Sequence, residues 1–307
     1  MKNQLNNVFG GLVRSVIGSE KAARLLLIAL VAEGHVLIQG APGLGKTSLS
    51  KSLARLIDCT FSRVQFTPDL LPADILGYSL FDKKVNDFRF IEGPIFNSIV
   101  LADEINRTSP RIQSALLESM NEKQVTVDGQ TYELNSPFMV IATQNTLYSA
   151  GTFPLPEPQL DRFLLSVELT QPSVEIQTQI LRLHASSEGT PYISPVITAA
   201  ELEEIQKEAN TVKVSESICR YIVGLCEAVR LSEEFRNEVS SRGAIAIMKA
   251  SRACAYFNDH PAVYPEDVKE IFVAVLGHRM FLKSRTKAEY SLVVKHLKSI
   301  LAGTRAP

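Results

Sequence analysis

Residues 40–47 read Gly40-Ala41-Pro42-Gly43-Leu44-Gly45-Lys46-Thr47, with Ser48 following. The stretch matches G-x-x-x-x-G-K-[ST], a pattern with a physical purpose. Its glycines let main-chain N–H groups close on phosphate oxygens, and a helix starting at the lysine aims the positive end of its dipole at them. Lys46 brings a charge to the β- and γ-phosphates, and Thr47 brings a hydroxyl to Mg²⁺. Chance alone gives such a match in about one chain in a hundred of this length, so the flanks decide. HVLIQG (35–40) is a short apolar strand, and in SLSKSLARLIDC (48–59) Leu49, Leu53, Leu56 and Ile57 recur at helical spacing. Strand, glycine-rich loop and helix stand in the order a phosphate-binding loop requires.

Outward from this centre, EKAARLLLIALVAEG (20–34) predicts a buried helix, with Ser19 as cap and Gly34 as stop. FSRVQF (61–66), SIVLADE (98–104) and FMVIATQN (138–145) are strand candidates, the last two nearly continuous apolar runs of the kind buried in a parallel sheet. Between those two, Ser109 and Pro110 predict the cap and first position of a helix with Ile112, Leu116, Leu117 and Met120 on one face. SLFDKKVNDFRF (79–90), turning near Asn86 and Asp87, and QVTVDGQTYEL (124–134), turning at Asp128-Gly129, predict β-hairpins. After Pro172 the segments 174–185, 199–209, 215–231, 242–256, 265–276 and 287–301 all read as helix. The expectation is an α/β nucleotide-binding domain over 1–172 followed by a smaller all-α domain over 173–307.

Composition agrees with a folded chain of two domains: 307 residues, 45% apolar and 21% charged. Thirty-two basic against thirty-three acidic residues leave no overall electrostatic reason to bind nucleic acid or anionic lipid. Cys59, Cys219, Cys226 and Cys254 form no C-x-x-C pair and predict buried free thiols in a reducing cytoplasm. MKNQLNNVFGG has no signal-peptide pattern, and no run approaches about eighteen apolar residues, so neither secretion nor a membrane span is expected.

The strand SIVLADE ends in Asp103 and Glu104. Two carboxylates there can place one acid beside Mg²⁺ and the other beside an attacking water, although alone they equal any acidic strand end. Asn145 could hold the water or the γ-phosphate next to Glu104, but by itself it reads better as a strand-end turn former.

HVLIQGAPGLGKT (35–47), RVQFTPDLLPADILG (63–77), EGPIFNSIVLADEINRTSPRIQSALLESM (92–120), VIATQN (140–145) and FPLPEPQLDRF (153–163) together resemble the MoxR family of AAA+ ATPases, and the resemblance runs through essentially the whole chain. It implies a P-loop AAA+ core, a parallel sheet sandwiched by helices, with one hairpin ahead of the Asp103 strand and another ahead of the Asn145 strand, then a helical lid. Carried over residue by residue, it implies that Lys46 and Thr47 are Walker A residues, that Asp103 holds Mg²⁺, and that Glu104 is the general base. In the same way Asn145 resembles sensor 1 and Arg162 in LDRF the arginine finger, which acts on a neighbour's ATP. Arg242 resembles the sensor 2 arginine, expected at the γ-phosphate of its own chain, and Ile17 and Gly18 resemble the segment touching adenine. Pro158 and Ser241 match the family loosely. The resemblance further implies a hexameric ring with a chaperone-like task of remodelling or activating protein complexes, often with a partner carrying a von Willebrand factor A domain. As the chain stops soon after the lid, partners are expected to dock on the ring or its hairpins.

Two other readings stay open on the sequence. A nucleic-acid motor would use Lys83, Lys84 and Arg89 around the first hairpin, against the near-neutral overall charge. An assembly module gated by ATP with little turnover would leave Glu104 and Arg162 without a purpose. Arg162 has a local alternative too, an ion pair with Asp161 or Glu157.

Overall fold

The computed structural model describes residues 2–84, 86–144, 152–185, 193–284 and 289–307. Helices α1 (Lys2–Ser15) and α2 (Glu20–Val31) lead into strand β1 (Val36–Gly40), the phosphate loop and α3 (Lys46–Leu56). There follow β2 (Phe61–Gln65), a short α4 (Pro72–Leu76), the hairpin β3 (Gly77–Asp82) with β4 (Asp87–Glu92), β5 (Ile99–Asp103) and α5 (Pro110–Glu122). The second hairpin pairs β6 (Gln124–Val127) with β7 (Gln130–Glu133), and β8 (Met139–Gln144), α6 (Glu157–Leu160) and β9 (Leu165–Leu169) complete the α/β part. Helices α7 (Val174–Ala185), α8 (Ala199–Asn210), α9 (Glu216–Arg230), α10 (Ser241–Phe257), α11 (Pro265–Leu276) and α12 (Glu289–Gly303) make up the rest.

Five strands form one parallel sheet in the order β2-β5-β8-β1-β9. Side chains alternate across it as a doubly covered sheet demands. Val36, Ile38, Ile99, Leu101, Met139 and Ile141 face one apolar cluster with α1, α2 and α3. Leu37, Val100, Ala102, Val140 and Ala142 face a second with α5 and the hairpin residues Val125 and Phe90. β1 lies between β8 and β9, so the chain leaves β1 at the switch point of the sheet, where the carboxyl ends of parallel strands open a crevice for ligands.

Each strand and helix predicted from the sequence is present, with helix ends displaced by up to three residues. The short helices α4 and α6, strand β9 and helix α1 escaped the periodicity reading. β9 alternates Leu165, Val167 and Leu169 with Ser166 and Glu168, a signal hidden by its brevity. α1 buries Leu5, Val8 and Leu12 at helical spacing, but its glycines, asparagines and glutamine mask the pattern. The cysteines are free, yet only Cys254 is fully buried, a correction to the expectation for Cys59, Cys219 and Cys226. Partial burial still pushes the Cys59 and Cys226 thiols up to about 11.

Helices α8, α10 and α11 seat on α2. Their residues Leu202, Ile205, Ile247, Ala250 and Ile271 share one apolar cluster with it. Polar contacts fasten the same join: Gln206 donates to the Leu30 carbonyl at 2.8 Å, Arg24 pairs with Glu270, and Ser166 donates to the Ala274 carbonyl at 3.3 Å. No helix among the described residues is long and apolar enough to cross a membrane.

Candidate nucleotide site

Gly45 caps α3 in the left-handed region, at φ 79°, where a side chain would be strained, and so turns the loop sharply into the helix. Lys46, first in that helix, folds back to donate to the Gly40 carbonyl at 2.7 Å. Burial lowers its ammonium from the ordinary value, while Asp103 and Glu104 pull the other way.

Two cavities meet at the loop. One, of about 400 Å³, is lined by Pro42, Gly43, Gly45, Lys46, Thr47 and Ser48 on one side and Arg63, Gln65, Asp103 and Glu104 on the other. The second, of about 630 Å³, shares Gly43, Gly45 and Ser48 and adds Leu44. Its apolar walls are Val16, Ile17 and Gly18 facing Leu169, Ile176 and Ile180. A charged compartment joined through a glycine-rich floor to an apolar one has the division of a nucleotide, phosphates in the first and base in the second. Ala41 and Gly40 line neither cavity; Gly40 acts through its carbonyl. Ile176 and Ile180 were read only as lid-helix residues. Gly18, at φ 78°, lets α7 approach, since a Cβ there would stand 2.9 Å from the Ile176 side chain.

The acids sit where β5 ends. Asp103 Oδ1 accepts from the Thr143 hydroxyl at 2.5 Å, and Oδ2 accepts from Arg63 Nη2 at 2.7 Å and Nε at 3.1 Å. Glu104 adopts φ 58°, ψ 49°, a left-handed turn unusual for a side-chain-bearing residue, and its N–H is held by Thr143 Oγ1 at 2.8 Å. Such strain is typical of functional positions. The turn throws the Glu104 carboxylate into the cavity, where it accepts from Gln65 Nε2 at 3.2 Å and Arg107 Nη1 at 3.0 Å. Arg63 and Gln65 fall within RVQFTPDLLPADILG and Arg107 within EGPIFNSIVLADEINRTSPRIQSALLESM, but the sequence alone assigned none of them a role. The Thr47 hydroxyl and Asp103 carboxylate on one cavity form a hard-oxygen pair that fits Mg²⁺. Among the described residues, no group of three or more His, Cys, Asp or Glu offers a rival metal site. Asn145, predicted at the end of β8, lies outside the described residues.

Neither Arg162, expected to act on a neighbour's ATP, nor Arg242, expected at its own γ-phosphate, lines the two cavities. Arg162 lies just before β9, whose Leu165 pairs with Val36 at the start of β1. The phosphate loop leaves the other end of β1, about 13 Å away at 3.3 Å per residue. Arg162 Nη1 donates to the Leu117 carbonyl, and the Asn121 amide, with its oxygen turned toward the guanidinium, accepts at 2.8 Å. Neither predicted acidic neighbour pairs with it: Asp161 is held by Arg279 at 2.8 Å and Glu157 by Arg236 at 3.0 Å. Arg242 is exposed in the first turn of α10, whose cap Ser240 donates to Asp161 at 3.1 Å. It therefore lies on the Arg162 side and lines neither cavity, which corrects the expected contact with its own γ-phosphate. The cause is the seat of the helical part on α2 and β9.

Comparison with known proteins agrees with this fold. The family model described as "ATPase family associated with various cellular activities (AAA)" matches residues 35–165, and the AAA lid domain model matches 227–293. YeaC of Bacillus subtilis is 42% identical over 96% of this chain and 92% of its own length. Chaperone MoxR1 of Mycobacterium tuberculosis is 36% identical over 88% of this chain and 73% of its own. The crystal structure of a candidate ATPase from Cytophaga hutchinsonii superposes with a TM-score of 0.88 at 35% identity, covering 100% of this chain and 96% of that one. With an α/β P-loop core, an all-α lid and these relatives, the chain belongs to the MoxR family of AAA+ ATPases.

Proposed function

We propose that this chain hydrolyses ATP with Mg²⁺ in a ring of identical copies, and that turnover remodels or activates partner protein complexes. The observation that carries the reading is the position of Arg162, at the amino ends of β1 and β9, opposite its own phosphate loop. A cation so placed serves a phosphate only on an adjacent copy, and Arg242, on the same side, serves there with it.

In this reading the loop N–H groups and Lys46 grip the β- and γ-phosphates, and Ile17, Gly18, Ile176 and Ile180 sandwich the base. Mg²⁺, held by Thr47 and Asp103, would neutralise charge on the phosphate oxygens. Glu104 releases Gln65 and Arg107 to take the proton of the attacking water, Asn145 orients that water, and Arg162 of the adjacent copy meets the charge growing on the γ-phosphate. The sheet-bearing part, 1–172, and the helical part, 173–307, act as the two domains of each subunit. By family resemblance we assign a hexamer, a von Willebrand factor A domain partner and a cytoplasmic setting.

Mixing an Arg162→Ala chain with a Lys46→Ala chain tests the shared site. Each alone should be inactive, and phosphate release should return in the mixture because each supplies what the other lacks. Confirmed co-assembly with no return of activity would overturn the reading.

A further inference from the structure

Asp103, the carboxylate assigned to Mg²⁺, has neither oxygen idle: Thr143 occupies one and the Arg63 guanidinium the other, with two N–H groups on Oδ2. Arg63 is held to this task. β2 and β5 are parallel neighbours with Gln65 opposite Asp103, and residues two apart on a strand share a face, so Arg63 and Gln65 reach the same acid cluster. Gln65 Oε1 accepts from Arg63 Nη2 at 3.0 Å while its Nε2 donates to Glu104, which ties the two acids into one network. The Arg63 side chain is 47% exposed, against 14% for Asp103, so the guanidinium covers the acid from the solvent side, the side from which a metal would arrive.

We propose that Arg63 is a placeholder cation on the metal ligand, which keeps a divalent cation off Asp103 until nucleotide enters and then gives way. The inference rests on the reading of Asp103 as the Mg²⁺ ligand. Local charge supports it. Lys46, Arg63 and Arg107 outweigh Asp103 and Glu104 at the cavity, so a bare divalent cation meets a positive site, whereas one accompanied by phosphates does not. A guanidinium competes well for the position because its planar fork places two N–H groups on one carboxylate. The consequence is ordered occupancy: metal and nucleotide arrive together, and the empty site resists a stray divalent ion.

The experiment titrates Mn²⁺, as a spectroscopic substitute for Mg²⁺, into nucleotide-free protein and follows loss of the free-ion paramagnetic resonance signal. Arg63→Ala should tighten Mn²⁺ binding about tenfold over the wild type, Arg63→Gln should lie between them, and adding Asp103→Ala to Arg63→Ala should abolish the gain. Arg107→Ala, which removes an equal charge from Glu104, should have a much smaller effect. An Arg63→Ala affinity equal to wild type would overturn the proposal, as would an equal gain in Arg107→Ala, since that would mark a general field and not a placeholder. The same titration with ADP present separates the two readings: if Asp103→Ala leaves Mn²⁺ binding there unchanged, the assignment of Asp103 to the metal fails, and the placeholder with it. Arg63 is half exposed on a strand, and circular dichroism of each variant checks that the fold is kept.

Discussion

Arg162 donates to the Leu117 carbonyl in the last turns of α5, where a cation meets the negative end of the helix dipole. Within a single chain the residue is thus a helix-end anchor, and the proposed catalytic use requires that this structural role be small. Arg162→Ala should lower assembled ATP turnover by about 10³-fold or more while destabilising the chain by only about 1 kcal/mol. Phosphate release and a chemical denaturation curve on the same preparation measure the two effects. A stability loss as large as that of a core truncation, with turnover scaling to the folded fraction, would leave Arg162 a structural residue.

Asp161, its neighbour, belongs to a different network. Arg279 is buried and reaches Asp161, the Phe163 carbonyl at 2.6 Å and the Leu164 carbonyl at 3.1 Å, so the helical part grips the segment that carries Arg162. Asp161→Asn leaves that buried guanidinium without its counter-charge and should cost about 3 kcal/mol. Arg279→Met combined with it should cost less than the sum of the single changes, because the stranded charge is gone. Urea midpoints of the four chains close the cycle, and strict additivity would show that the pair is not coupled.

Gly18 offers a test of the base compartment. Its positive φ and the 2.9 Å approach of Ile176 leave no room for a methyl group. Gly18→Ala should weaken binding of a fluorescent ATP analogue about tenfold, since the α1–α2 turn must shift or push α7 aside. Binding as tight as wild type would place the base elsewhere.

Acid should weaken the fold through His35. Its Nδ1 accepts from the Val140 N–H at 3.0 Å, so Nε2 carries the proton donated to the Met120 carbonyl at 2.9 Å, a neutral ring locked by two main-chain partners. Burial lowers it from 6.5 to about 4. The folded value lies below the unfolded one, so the unfolded chain binds the extra proton first. The stability His35 contributes is fully present above pH 6.5 and is lost as pH falls toward 4. The amount is on the order of 3 kcal/mol. His278, buried beside Arg279 and also well below its ordinary range, adds in the same direction. His35→Gln should therefore show a shallower fall of the urea midpoint between pH 6.5 and 4 than the wild type, and parallel curves would contradict the assignment.

Local chemistry made much of this molecule legible before any coordinates. The loop at 40–47, the apolar runs ending at Asp103 and Gln144, the Ser109-Pro110 helix start and the Asp128-Gly129 turn all follow from rules that act within a few residues. Arg63, Gln65 and Arg107 were not legible, because their meaning depends on β2 lying beside β5 and on the left-handed turn at Glu104. Ile176 and Ile180 were hidden for a similar reason: they wall the base compartment only because α7 returns to the α1–α2 turn across Gly18.

From the sequence alone came the identity of each chemical group and the element that carries it, since backbone propensity, capping and phosphate-loop geometry are set by near neighbours in the chain. Tertiary structure alone decided which groups share a cleft. Parallel pairing of β1 with β9 puts Arg162 at the amino ends of these strands and Lys46 beyond their carboxyl ends, and the apolar seat of α8, α10 and α11 on α2 carries Arg242 to the Arg162 side. Those separations are fixed by strand register and core packing between residues more than a hundred positions apart, which no local pattern encodes.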